Sequence, residues 1–345
     1  MALERTEIIK LISTKVYAGR VKDKKLLLSS SSGGAFTALS NQFFDNGDAV
    51  VAASYNYETH LEEFKLIHTT EERDAAKGSK YIQSKPGDVF GAAEAWLKEH
   101  QGKRLLFVGM GCQAEGFRKF AEVKGYRDRT YIVDIICHGS PSPKLWREYA
   151  DVIEKRYNGK ITYLTFKDKR NGWRTPTAVA VINGNEIPIK NYVRVFYNQC
   201  ASRPSCLKCP FSTMERKIDI TIGDFWHIEK TIPDFYNQDG TSVFLIHTDR
   251  GEELFNKIKG NLEYRLSNTK QCWQANLETP TPMSEHRQEF WKDYYRKGID
   301  YIMKKYGTDS IKSKVKNKLL KMIGGVASLS NPSIYHVTYS ERRAA

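Results

Sequence analysis

The sequence predicts an α/β protein: a mixed, partly parallel sheet flanked by helices, with a β-rich extension and a helical C-terminal region. Three observations carry this. In the first half, short apolar runs alternate with amphipathic segments, the order expected when helices cross between neighbouring parallel strands. From Lys160 the runs become short and β-rich, and after Gln271 helix-forming stretches dominate.

Taken in order, AFTALSNQFFDNG from Ala35 reads as a helix stopped by Gly47, and DAVVAASY as the strand that follows. EERDAAKG is a short helix. VFGAAEAWLKEHQGK is a longer one leading into the strand RLLFVGM, FRKFAEVKG is a helix, and YIVDIIC is a buried strand. KLWREYADVIEKRYNG is helical because Leu145, Tyr149, Val152 and Ile153 recur on one face. KITYLTFKDK, TAVAVING with its Asn-Gly turn, NEIPIKNYVRVFY and IDITIGDFW read as β-rich. They form either a second subdomain or an extension of the same sheet. HRQEFWKDYYRKG is the clearest of the late helices.

Composition sets the class. With 345 residues, 40% hydrophobic and 27% charged, the chain suits one large globular domain or two moderate ones. Its longest apolar runs are too short to cross a bilayer. Glu4 and Glu7 interrupt the N-terminal stretch, so no signal peptide is expected and a cytoplasmic location is. In that reducing compartment six cysteines point to metal or redox chemistry rather than disulfides. The net charge of +14 is concentrated toward the ends, notably in the lysine-rich residues 304–323. There Val315, Leu319, Leu320, Met322 and Ile323 make a partial apolar stripe, so a basic helical tail is expected, docked on the body, on a partner or peripherally on an anionic membrane. No nucleic-acid module is visible, and no nucleic-acid partner is expected.

RPSCLKCP holds Cys206 and Cys209 at metal-ligand spacing, yet no second C-x-x-C occurs. Two more donors lie at strand ends. Cys112 closes LLFVGMGC and Cys137 closes YIVDIIC, and in a parallel sheet such ends share one edge. Gly109 and Gly111 permit close backbone approach there, while Gly139, Pro141 and Pro143 stiffen the second turn. Because the C-x-x-C pair shortly precedes the strand IDITIGD, one site built from Cys112, Cys137, Cys206 and Cys209 is expected. An all-thiolate set accepts zinc or an iron–sulfur cluster, and spacing does not separate the two. Cys272 reads as a core residue, and Cys200, with no turn residue beside it, ranks below the four.

SSSSGGAFTAL places Ser32, Gly33 and Gly34 before a helix with Thr37 in its first turn. Free N–H groups there, with glycines that admit a phosphate, suit an anion; the same residues also suit a plain N-cap. KGSKYIQS groups Ser79, Lys80 and Tyr81, which could grip a phosphate while the ring packs on a flat cofactor, or form an exposed loop.

The ordered set SSSGGAFTAL, GSKYIQS, GMGCQAEGFRKF, VDIICHGSPSPKLW, FKDKRNGW, RPSCLKC and DITIGDFW closely resembles the coenzyme F(420) hydrogenase/dehydrogenase beta-subunit family. The resemblance runs from about Lys15 to about Trp226 and weakens toward residue 300. It implies an N-terminal extension over 1–14, a catalytic domain over 15–300 with parts 15–100 and 101–300, and the tail over 301–345. It also implies a flavin-dependent oxidoreductase passing electrons between a 4Fe-4S cluster, FAD and a small-molecule substrate, in some branches the deazaflavin F(420). Cys112 matches the family's G-x-P-C-Q turn, Cys137 its C-H-G, and Cys206 with Cys209 its R-P-S-C-x-x-C, which favours a cluster over zinc. Ser32, Gly33, Gly34, Thr37, Ser79, Lys80 and Tyr81 match motifs assigned to flavin binding. His138 is the expected proton donor or a hydrogen-bond partner of a cluster sulfur, Asp224 a ligand for a ribose or substrate hydroxyl, and Lys80 and Arg203 attract an anionic cofactor.

Departures refine the expectation. The C-x-x-C-x-x-C runs of a ferredoxin-like module found in many relatives are missing, so the expected donor is a separate ferredoxin or ferredoxin-like partner. Gly111 stands where relatives have Pro, and Cys200 where they carry an apolar residue. The rival reading is a zinc-stabilised or redox-inactive member acting as a binding or assembly protein, in cell-surface polysaccharide synthesis for example.

Overall fold

The computed structural model describes residues 14–308. The N-terminal extension, save Thr14, and the tail beyond residue 308, with its apolar stripe and membrane contact, lie outside them. The chain opens with β1 (Lys15–Val21), α1 (Lys24–Leu28) and α2 (Ala35–Phe44), then forms the hairpin of β2 (Ala49–Asn56) and β3 (Leu61–Ile67). After α3 (Thr70–Ala75) and the short β4 (Ser84–Lys85) come α4 (Val89–Glu99), β5 (Leu105–Met110), α5 (Gly111–Val123), β6 (Thr130–Ile135) and α6 (Pro143–Tyr157). A second group holds β7 (Ile161–Asp168), β8 (Thr177–Ile182), β9 (Asn185–Pro188) and α7 (Lys190–Tyr197). The chain then adds β10 (Ile220–Asp224), α8 (Ile228–Thr231), β11 (Ser242–Ile246), α9 (Asp249–Ile258), β12 (Leu262–Ser267) and α10 (Arg287–Tyr306).

Nine strands form one sheet in the order β12-β1-β11-β10-β6-β5-β2-β3-β4. Its centre, β10-β6-β5-β2, is parallel, while β1, β11 and β12 pair antiparallel. The central strands read as unbroken apolar runs because both faces are covered. On one face Leu39 and Phe43 of α2 and Leu254 and Phe255 of α9 pack on Leu106, Val133 and Ile220. On the other, Trp96 and Leu97 of α4 and Phe117 of α5 pack on Leu105, Phe107 and Ile132.

The change of texture at Lys160 marks a separate antiparallel sheet, β7-β8-β9, and β10 afterwards rejoins the large one. The small sheet has its own core, where Trp146 and Ile153 of α6 and Phe290 and Ile302 of α10 close on Ala180 and Ile182. One expected stretch divides. In NEIPIKNYVRVFY only the first four residues are a strand, and Lys190–Tyr197 is α7, because Tyr192, Val195 and Phe196 recur at helical spacing and bury one face. α10 kinks at Gly298, whose φ is 76°.

Candidate functional site

All four parallel strands end on one edge, and the site is assembled there. β5 runs directly into α5, so Cys112 sits in that helix's first turn, and β6 stops two residues before Cys137. Close packing explains how a distant loop reaches them. A Cβ on Gly111 would stand 2.9 Å from Cβ of Phe211, so a proline there would push the loop away. Gly139, at φ 105°, leaves room for Cys206, whose Cβ lies 3.4 Å from where its own Cβ would be. The loop is pinned by Arg203 N–H donating to Ser140 O at 2.9 Å and by a bridge between Pro141 and Ser202. A buried ion pair between Arg216 and Asp134 of β6 holds its far end. Cys206 and Cys209, on one 3-10 turn at Pro204–Lys208 and its cap, are thereby brought beside Cys112 and Cys137.

Cys137 and Cys112 both feel the other cysteines of this group. Burial pushes the Cys137 thiol up to about 12, and Cys206, Cys112 and Cys209 push the same way. Cys112 is exposed at the surface, yet desolvation of its sulfur raises it too, followed by Cys209 and Cys206, with Arg203 opposing. A cationic centre bound between them would relieve this repulsion. An all-thiolate donor set of this kind suits zinc or an iron–sulfur cluster. Cys200 points elsewhere, its Sγ 3.3 Å from Ser284 Oγ in the small sheet's core, and Cys272 is buried in another core.

A cavity of about 280 Å³ opens on the same edge, near the lower end of the range for small-molecule sites. Ser32, Gly34 and Thr37 line it from the start of α2, Ser79, Lys80 and Tyr81 from the segment before β4, and Asp224 from the end of β10. Cys137 and His138 line it as well. Gly33 lies behind the wall: its N–H donates to Ser242 Oγ at 2.9 Å, and a Cβ there would be 2.4 Å from Gly19 O. Gly34, at φ 83°, is the N-cap of α2 and no side chain caps the helix, which leaves its first N–H groups to an anion. The serines instead stitch the loops together. Ser31 Oγ accepts from Ser79 N–H at 2.7 Å, and Ser32 Oγ donates to Thr241 O at 3.0 Å. Lys169 donates to Leu27 O at 2.7 Å, Ser32 O at 2.8 Å and Asp239 O, and burial pushes its ammonium down to about 8.

Several polar groups of the wall are already engaged. Lys80 Nζ donates to the carbonyls of Ala76 at 2.6 Å, Gly78 at 3.1 Å and Lys77 at 3.3 Å. The Tyr81 ring stacks on Phe196 at 4.4 Å, and its hydroxyl meets that of Tyr197 at 2.8 Å. Burial favours a protonated Asp224, but the Lys167 ammonium and hydrogen bonds from Lys167 and Trp173 hold its carboxyl below the usual range. Burial also lowers His138, so its imidazole is neutral at pH 7. Trp226 joins the wall and stacks on Trp173 at 5.3 Å.

Two family models match the chain: the beta subunit N-terminal part of coenzyme F(420) hydrogenase/dehydrogenase over residues 16–88, and its C terminus over 102–271. The chain belongs to this family. It is therefore an oxidoreductase-type subunit. A solved structure of the F(420)-reducing NiFe hydrogenase complex from Methanosarcina barkeri, derivatised with xenon, is similar at 20% identity and a TM-score of 0.47, covering 92% of this chain and 95% of that one. No protein of curated function matches.

In this beta-subunit fold the two matched segments divide the site. The N-terminal one carries the Ser-Gly loop and Ser79, Lys80 and Tyr81; the C-terminal one carries all four cysteines, His138 and Asp224. Sequence reasoning missed Glu62, Gln113 and Tyr197, which also line the cavity. FKDKRNGW shows no role in the sequence alone, and the fold supplies one: Lys167 and Trp173 hold Asp224, and Lys169 holds the serine loop. No described helix is long and apolar enough to cross a membrane.

Proposed function

We propose that this chain is the flavin- and cluster-bearing beta-type subunit of an oxidoreductase, taking electrons from a ferredoxin-like donor and delivering them to a small acceptor such as an F(420)-like deazaflavin. One observation carries the reading: Cys137 belongs both to the four-thiol group and to the cavity wall. A centre held there would lie against any ligand in the cavity. Cys112, Cys137, Cys206 and Cys209 would hold a 4Fe-4S cluster, a fit supported by their all-thiolate chemistry and by the family motifs they belong to. The α2 N-terminus and Gly34 would take the FAD phosphates, and the apolar strand ends around Gly109 and Gly223 would face its ring. A flavin supplies the exchange between single electrons and hydride pairs, while the protein orients it and excludes water. Neutral His138, beside Cys137, can donate a hydrogen bond into the cavity or toward a cluster sulfur.

Anaerobically purified protein should carry about four irons, matching sulfide and about one FAD per chain. Cys137→Ser should lose most of the iron and perturb the flavin absorption band, because its side chain belongs to both sites. A colourless protein with one zinc and no flavin after reconstitution would reject the reading.

A further inference from the structure

Glu62 of β3 is wholly buried at the cavity wall, and neither carboxylate oxygen accepts a hydrogen bond from the described residues. A buried carboxyl in that condition calls for an explanation, because desolvation without a hydrogen-bond partner is costly. Its neighbours have their donors committed elsewhere. Tyr55 OH meets His60 Nδ1 at 2.7 Å and receives Trp146 Nε1–H at 2.9 Å, and Tyr192 OH donates to Tyr81 O at 2.9 Å. Ser84, opposite Glu62 across β4, exchanges hydrogen bonds with Gln113. The charges facing Glu62 are those of Lys80 and, on deprotonation, the phenols of Tyr55, Tyr57 and Tyr192. Burial raises the Glu62 carboxyl and lowers the Lys80 ammonium, and each charge favours the other. Glu62 therefore keeps a proton at the cavity wall that an ordinary carboxyl would have lost, while the Lys80 charge favours the anion left when it leaves.

Resting on the flavin reading above, we infer that Glu62 is the proton-exchanging group of the cavity. Glu62 would give up its proton to a bound flavin as that ring takes an electron pair, one electron at a time, from a one-electron carrier protein: the Glu62 O–H bond breaks, an N–H bond forms, and the carboxylate, favoured by Lys80, regains a proton from solvent. The flavin would supply the passage of that hydrogen with its electron pair to the acceptor, so atoms and charge balance.

The test is the midpoint potential of the bound flavin, followed spectroscopically across roughly pH 5–9, the span over which buried glutamates titrate. Wild type should show a change of slope that disappears in Glu62→Gln. Lys80→Met should move the bend to higher pH, since the cation that favours the carboxylate is gone. If Glu62→Gln does not retain flavin, the Lys80→Met shift decides by itself. An unbent wild-type line, a bend that survives Glu62→Gln, or one that Lys80→Met leaves in place assigns the proton to another group and overturns the inference while the flavin reading stands. Wild-type protein that takes up no FAD or FMN removes both.

Discussion

His247 lies just past β11, with Nε2 2.8 Å from Thr221 Oγ1 and Nδ1 3.4 Å from Thr14 Oγ1. Burial, aided by Arg216, pushes its imidazole down to about 3. The unfolded chain therefore binds this proton first, near pH 6.5, and stability is full above that and declines as pH falls toward about 3. Urea unfolding between about pH 6 and pH 4 should lose up to about 1.4 kcal/mol per pH unit through this group, and His247→Gln should flatten that limb. An unchanged acid slope in the variant would assign the loss to other residues. The cysteines could be read from the sequence because metal-ligand spacing and strand ends leave visible marks. Glu62 could not: in LEEFKLI one of two adjacent carboxylates must face inward, and the residues alone do not say that the inward place borders a cavity.

At the scale of elements, the turn from β5 into α5 and the loop around Phe211 share one contact, at Gly111. Gly111→Ala would put a Cβ 2.9 Å from Phe211 Cβ, displacing the loop that carries Cys206 and Cys209. Iron retained after anaerobic reconstitution should fall at least about threefold, against a stability loss of about 1–3 kcal/mol. Adding Phe211→Gly, which removes the Cβ that is struck, should restore much of the iron, the coupling expected of residues in contact. Equal iron in wild type and Gly111→Ala would show that the contact does not position the ligands. Most helices and the central strands were legible because their apolar periods are strong. α7 was not, since its β-branched and aromatic residues suit either state and only packing on β8 and α10 selects the helix.

For the whole molecule, an excess of 14 positive charges should speed encounter with an acidic electron carrier. Raising ionic strength from about 0.05 to about 0.5 M should slow reduction by such a carrier roughly tenfold, while a neutral dye keeps its rate. Salt-independent reduction by the carrier would remove electrostatic steering from the account. The small sheet is tied to the edge that carries the site as well as to its own core. Lys167 of β7 reaches Asp224 of β10, and α7 supplies Phe196 and Tyr197 to the cavity. Its separateness could not be read from the sequence, because an extension of the large sheet would show the same short β runs.

The thiol group also closes a long circuit of chain, from the first turn of α5 to the loop before β10. A metal centre bound there would act as a clasp on the folded state and stabilise it by mass action in proportion to its supply. Losing the occupant would then remove more than an electron path. It would loosen the junction between the two sheets, expose the Phe211 loop to proteases and lower the amount of the protein itself. Abundance measured under iron limitation would become a readout of how full the site is.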